Sequence, residues 1–177
     1  ELILKTPFGK VPFGWSLDGR FITYHENNPK TGSDVYVLPM TGDRKPLPYL
    51  QTEFTEYENV LSPDSRWMAY TSNESGRFEV YVQPFPPSGG KWQVSTTGGV
   101  QPQWRRDGKE LFYVALDGTL MAADVKTGST FEPGVPHPLF KMNTQVIGAR
   151  NSYSPTPDGH RFLVNSFVDT AASSAIS

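Results

Sequence analysis

No cysteine occurs among the 177 residues. That excludes thiolate catalysis, thiolate metal ligation and disulfide stapling, while an oxidising compartment stays allowed. No apolar run approaches the roughly 18 residues that a membrane span requires, so no membrane insertion by this segment is expected. Positive charge is not in excess either. The 16 Lys+Arg and 18 Asp+Glu leave a net charge of −2, and neither a basic stripe nor basic–aromatic interleaving is present for nucleic acid. Reactive signatures are missing as well: no Gly-x-Ser-x-Gly, no Gly-rich phosphate loop, no His-Arg-Asp and no Asp-Phe-Gly. The three histidines, His25, His137 and His160, lie too far apart for metal-ligand spacing. No catalytic residue, metal or cofactor is therefore expected. The chain opens at Glu1 with neither an initiator Met nor a secretory signal, which reads as a trimmed, mature or cloned end.

Long segments of 3.6-residue period are scarce too. Tyr49–Ser62 and Leu139–Ile147 are the stretches without Gly or Pro that suggest a helix; in the first, Phe54, Tyr57 and Leu61 fall at i, i+3 and i+7, leaving a short helical turn open there. What the chain does have is turn-formers among aromatics. Gly and Pro number 16 each, about 18% together, and aromatics make up 13%, against a usual Gly-plus-Pro share of about 12%. That mixture favours many short strands.

One ten-residue pattern recurs four times: WSLDGRFITY from Trp15, LSPDSRWMAY from Leu61, WRRDGKELFY from Trp104 and PTPDGHRFLV from Pro155. Its aspartates, Asp18, Asp64, Asp107 and Asp158, stand 46, 43 and 51 residues apart. A unit of that length cannot bury a core alone, so copies must stack. Each pattern reads as a strand, a tight turn and a second strand. Asp caps the turn through downstream amides, and the following Gly19, Gly108 and Gly159 suit its left-handed end. Ser65 is the exception. Third strands follow (Val35-Tyr36-Val37, Val80-Tyr81-Val82, Leu120-Met121-Ala122), and fourth strands close the units around Lys45–Tyr49, Lys91–Val94 and His137–Phe140. Four antiparallel strands per repeat make the blade of an all-β propeller.

The chain thus divides into blades at 11–50, 56–96 and 99–142, with the inner two strands of a further blade at 149–168. Residues 1–6 are expected to form the outer strand of a preceding or ring-closing blade, and 169–177 a frayed tail. About three complete blades plus two partial ones imply a propeller fragment whose unfinished edges invite self-association.

The turn pattern, Trp15-Ser16-Leu17-Asp18-Gly19, Leu61-Ser62-Pro63-Asp64-Ser65, Trp104-Arg105-Arg106-Asp107-Gly108 and Thr156-Pro157-Asp158-Gly159, resembles the Pro-Asp-Gly repeat of TolB-like β-propellers, relatives of the WD-repeat proteins. Leu17 and Arg106 depart from the Pro, and Ser65 from the Gly. The longer run from Gly98 to Tyr113, with Val-Tyr-Val-x-Pro before it and Asp158-Gly159-His160-Arg161-Phe162-Leu163-Val164 after it, is similar to propellers at the C-terminal end of bacterial eukaryote-type serine/threonine kinases. The resemblance implies a kinase domain upstream in the parent and an extracytoplasmic, periplasmic location. It also implies a non-catalytic binding or sensor role with a protein or peptide partner, a small ligand remaining open. Two other settings carry similar repeats: the substrate-gating propeller of prolyl-oligopeptidase-like peptidases, and TolB-like periplasmic scaffolds.

The turn aspartates are expected to be structural. Recognition is expected on the loops that link blades, Gln51–Glu58, Thr97–Pro102 and Asn143–Asn151, with Phe54, Glu56, Tyr57, Gln101 and Arg150 as candidate binding residues. The same loops could serve as plain connections. Arg105 and Arg106 are expected to face water at a turn.

Overall fold

The computed structural model describes residues 2–147 and 151–167; Glu1, Arg150 and the tail segment 169–177 lie outside them. The described residues form strands, turns and bends, with no helix long and apolar enough to cross a membrane.

The first sheet is an antiparallel meander of β1 (Lys10–Trp15), β2 (Phe21–Asn28), β3 (Gly32–Pro39) and β4 (Leu47–Leu50). The second repeats it with β5 (Glu56–Leu61), β6 (Trp67–Ser72), β7 (Glu79–Pro84) and β8 (Trp92–Gln93). The third contains β9 (Val100–Trp104), β10 (Glu110–Val114), β11 (Thr119–Thr127), β12 (Phe131–Pro133) and β13 (His137–Lys141). Here β11 is long enough to pair with β13 at one end and β12 at the other. A two-stranded sheet, β14 (Tyr153–Pro155) and β15 (Phe162–Val164), follows. These are propeller blades: two of four strands, one of four strands with the extra short strand β12, and one of two.

The turns explain the recurring aspartates. Ser16 Oγ donates to Asp18 Oδ1 at 2.7 Å, the Arg20 N–H reaches the same oxygen at 3.0 Å, and the Gly19 N–H returns to the Ser16 carbonyl at 2.8 Å. Asp64, Asp107 and Asp158 each accept the N–H two residues on, from Arg66, Lys109 and His160. The next backbone position is left-handed in all four copies: φ is 73° at Gly19, 56° at Ser65, 72° at Gly108 and 73° at Gly159. Ser65 thus holds a conformation that costs an L-residue on the order of 1 kcal/mol.

Hydrophobic layers lie between successive blades. Met68, Tyr70 and Tyr81 pack with Val37, Leu61 and Phe21 between the first and second. Trp67, Ala69 and Val82 meet Trp104, Leu111, Tyr113 and Phe131 between the second and third. Val100, Phe112 and Leu120 meet Tyr153, Phe162 and Val164 between the third and the two-stranded sheet.

Three expectations change. Residues 2–6 form no strand; the segment is held instead by Thr6 Oγ1 donating to Glu26 Oε2 at 2.6 Å and by the Asn27 N–H reaching the Gly9 carbonyl at 3.0 Å. No helical turn forms within 49–62, because Thr52 Oγ1 accepts the Phe54 N–H and β5 begins at Glu56. Finally, β12 was not expected: β11 overruns the sheet, turns at Gly128 and returns to bury Phe131.

Candidate binding site

The innermost strands β1, β5, β9 and β14 stand side by side around the axis. The second and third of them carry a bulge at one register, six residues before the turn Asp, where Glu58 and Gln101 take left-handed φ of 54° and 58°. Such a φ is uncommon outside glycine, and here it turns each side chain along the ring. Glu58 Oε2 accepts the Gln101 N–H at 2.6 Å and the Thr71 hydroxyl at 2.9 Å. Gln101 in turn accepts the Ser152 N–H at 2.7 Å, while its carbonyl accepts the Tyr153 hydroxyl at 2.9 Å. A buried polar chain therefore ties three successive blades. Burial outweighs those hydrogen bonds at Glu58 and raises its carboxyl to about 7.

At the turn end of these strands lies an open depression of about 320 Å³ to which all four repeats contribute. Its floor comes from Phe13, Val60 and Gln103. Its rim is the residue before each turn Asp: Leu17, Pro63, Arg106 and Pro157. The two positions that depart from the Pro-Asp-Gly pattern, Leu17 and Arg106, thus stand at one mouth. Neighbouring arginines divide their roles here. Arg105 is engaged, its guanidinium on Asp107 at 2.8 Å and Glu110 at 2.6 Å. Arg106 is exposed and, among the described residues, has no ion-pair or hydrogen-bond partner. An unengaged guanidinium rimmed by Trp15, Leu17 and two prolines presents one cation on an apolar, aromatic surface.

The loop residues singled out from sequence do not come together. Phe54 is half-buried and lines a separate groove of about 490 Å³ with Glu74, Tyr81 and Lys91. Tyr57 packs edge-on against Phe78 with ring centroids 5.2 Å apart. Glu56 is buried, takes a hydrogen bond from Thr52 Oγ1 on one oxygen, has no partner for the other, and is raised to about 7 by burial. Gln101 is fully buried, its side chain engaged with Ser152 and the Val146 carbonyl. Neither Glu56 nor Gln101 is a surface group, because the inner-strand bulges draw this end of the blades inward. Arg150 lies outside the described residues. The aspartate turns hold Asp18 near a pKa of about 2 through the Arg20 amide and the Ser16 hydroxyl. Among the described residues no three His, Cys, Asp or Glu converge as metal ligands. His25 is half-buried with its ring 5.2 Å from Phe13, and burial lowers its pKa.

Sequence reasoning missed Glu58 and the axial mouth. A signal existed for both. Glu58, Gln101 and Ser152 share one offset from the turn Asp, and the only two substitutions of the motif Pro sit at another.

No family model and no curated protein matches the chain. Solved structures do. The putative TolB from Agrobacterium tumefaciens is 19% identical, with 78% of this chain and 52% of that chain covered and a TM-score of 0.60. TolB from Acinetobacter baumannii is 16% identical, with 92% and 39% covered and a TM-score of 0.68. A putative 6-phosphogluconolactonase from Bacteroides uniformis is 16% identical, with 86% and 46% covered and a TM-score of 0.55. The chain spans about half, or less, of the length of each. At such identities the likeness is one of fold: this is a TolB-like β-propeller arrangement.

Proposed function

We propose that this chain is a non-catalytic recognition module that holds a segment of a partner protein in the axial depression. The observation that carries the reading is Arg106: an exposed, unengaged guanidinium at a mouth shared by four repeats and lined mainly by aromatic, aliphatic and proline side chains, with Gln103 and Thr156 as its neutral polar groups. A peptide with a carboxylate beside apolar residues fits that surface. The carboxylate pairs with Arg106 and supplies orientation, while the apolar part covers Trp15, Leu17 and Pro157 and supplies most of the affinity. The turn aspartates are committed to backbone amides, which argues against their use as acid–base pairs.

In this reading the module belongs to a larger bacterial regulatory protein, a receptor-like serine/threonine kinase, on its extracytoplasmic side; the repeat pattern from Gly98 to Tyr113 supports that setting. The likeness to TolB structures keeps a scaffold role as the second reading. Kinase signatures upstream in the parent gene select the first. Their absence, with a secretory signal present, selects the second, and a downstream Gly-x-Ser-x-Gly segment points to a peptidase.

Binding itself is tested by selecting from a displayed peptide library on the intact chain, with Arg106→Glu in parallel. Selected peptides should carry Asp, Glu or a free C-terminus next to apolar residues, and should lose at least tenfold in affinity on the variant. Recovery of no binder, or of binders indifferent to Arg106→Glu, removes the proposal.

A further inference from the structure

The four tryptophans of the chain divide by what their indole N–H groups meet. Trp15 donates to the Gly19 carbonyl at 3.1 Å, and Trp104 to the Val60 carbonyl at 3.2 Å. Trp67 is 3% exposed, and its buried N–H has no acceptor among the described residues. Trp92 is half-buried, and its N–H has none there either. These two rings stand edge to face, with centroids 5.6 Å apart. Buried indole N–H groups usually find a partner, so two unpaired donors side by side mark a place where an acceptor belongs.

Both tryptophans line one groove of about 630 Å³ where the second blade meets the third. The loop that leaves β7, Pro84 to Gly89, lines it too, as do Ser129 and Thr130 at the tip between β11 and β12. That tip exists because of the extra strand β12, and Arg66 fastens it by donating to the Gly128 carbonyl at 2.9 Å. The far edge of the six-membered ring of Trp92 lies against Gly90, where an added Cβ would stand 2.6 Å away, so the pyrrole edge is left clear of that contact. The groove's hydrogen-bonding inventory is one-sided. Its polar side chains are two indoles, a guanidinium and three hydroxyls, with no carboxylate or carboxamide among them.

We propose that this groove binds a proline-rich segment of a partner protein in the polyproline II conformation. A surface rich in donors selects a ligand of the opposite inventory. A run of prolines presents backbone carbonyls and no N–H, and its left-handed helix makes no internal hydrogen bonds, so every carbonyl is free to accept. Its ring faces pack on indoles, the general mode by which aromatic grooves take such segments. Trp92, half-buried, offers its N–H at the surface, and the second donor sits on the more deeply buried ring beside it. An ordinary extended strand or an oligosaccharide brings N–H or O–H donors of its own, which this groove would bury with few acceptors to meet them. None of the groove's residues lines the axial depression, so the proposal is independent of the recognition reading above.

Titration of the intact, nitrogen-15-labelled chain with decaproline, acetylated and amidated so that it carries no charge, tests this through the four indole N–H signals. Those of Trp92 and Trp67 should move in a saturable way, while those of Trp15 and Trp104 stay. Trp92→Phe keeps an aromatic ring without the N–H and should weaken binding about fivefold or more. Ser129→Asp, at an exposed position, sets an acceptor against the peptide carbonyls and should weaken it likewise, with an unchanged melting temperature. Three results overturn the proposal: still signals for Trp67 and Trp92 at millimolar decaproline, equal movement with maltohexaose or an uncharged Gly-Ser peptide, or binding undiminished in either variant. Arg106→Glu should leave the titration unchanged, which separates this result from that of the axial depression.

Discussion

The backbone N–H of Gln101 points at Oε2 of Glu58 across the seam between the second and third blades, 2.6 Å away. The carboxylate lies in a bulge of one innermost strand and the amide in the equivalent bulge of the next. A buried acceptor shared by a backbone N–H and the Thr71 hydroxyl costs desolvation, yet it closes two donors that would otherwise be orphaned.

Glu58→Ala leaves the Gln101 amide and the Thr71 hydroxyl without an acceptor and opens a void beside the axis. The expected loss is about 2–4 kcal/mol, read from urea denaturation. A loss below about 0.5 kcal/mol, the size of an ordinary surface change, would mean that the seam does not depend on this contact.

Stability should fall as pH rises from about 4.5 to about 7. Burial raises both Glu56 and Glu58 from the ordinary 4.5 to about 7. In that window the native state keeps protons that the unfolded chain has released, so the slope of stability against pH is negative and flattens above 7. Asp18 and Asp117 act oppositely. Their backbone hydrogen bonds to Arg20 and Thr119 lower them to about 2, so their contribution grows as pH rises from about 2 to 4. The optimum therefore lies near pH 4–5. Urea midpoints across pH 3–8 check this, and Glu58→Gln should reduce the slope between 5 and 7. A midpoint that rises steadily from 5 to 7 contradicts the sign.

What the sequence made legible was local. Asp followed by Gly between apolar runs states a hairpin in backbone terms, so the turns and the strands around them could be read from Trp15, Leu61, Trp104 and Pro155 onward. Interactions that depend on the ring could not. Gln101 reads as a polar loop residue until the bulge turns it inward, and Glu56 until the first two blades close over it. Phe131 lies in a segment rich in Gly, Ser and Thr that carries no strand pattern, and its burial depends on Trp67 and Trp104 from elsewhere in the chain. The axial mouth was visible only as two irregularities, Leu17 and Arg106, in otherwise regular turns.

Ser65→Gly should stabilise the chain by about 0.5–1 kcal/mol. The left-handed φ of 56° suits glycine, and the change removes a buried hydroxyl with no partner. The opposite change at Gly159 should be costly. Its φ is 73°, and an added Cβ would stand 2.8 Å from Arg105 Cδ and 3.1 Å from Phe112 Cζ, whereas at Gly108 the nearest atom, Pro63 Cδ, lies 3.7 Å away. Gly159→Ala should therefore lose more than Gly108→Ala, with melting temperatures giving the order. Equal losses would show that backbone strain alone decides and that packing between turns adds nothing.

Phe131 is where the third blade holds the second. Its ring centroid lies 5.5 Å from Trp67, 5.8 Å from Trp92 and 6.2 Å from Trp104, and the residue is 1% exposed. The short strand that delivers it pairs only with the far end of β11, so the ring is anchored by packing more than by its ladder. Phe131→Ala removes contacts to three tryptophans at once and should cost about 3–5 kcal/mol. The same change should redshift and quench the intrinsic fluorescence, because Trp67 and Trp104 lose their cover from water. Phe131→Leu keeps most of the volume without the edge-to-face geometry and should recover more than half of the loss, since aromatic pairing adds only about 0.5–1.5 kcal/mol beyond area. If Phe131→Ala melts like wild type with an unshifted emission, the hairpin of β11 and β12 is not seated between the blades.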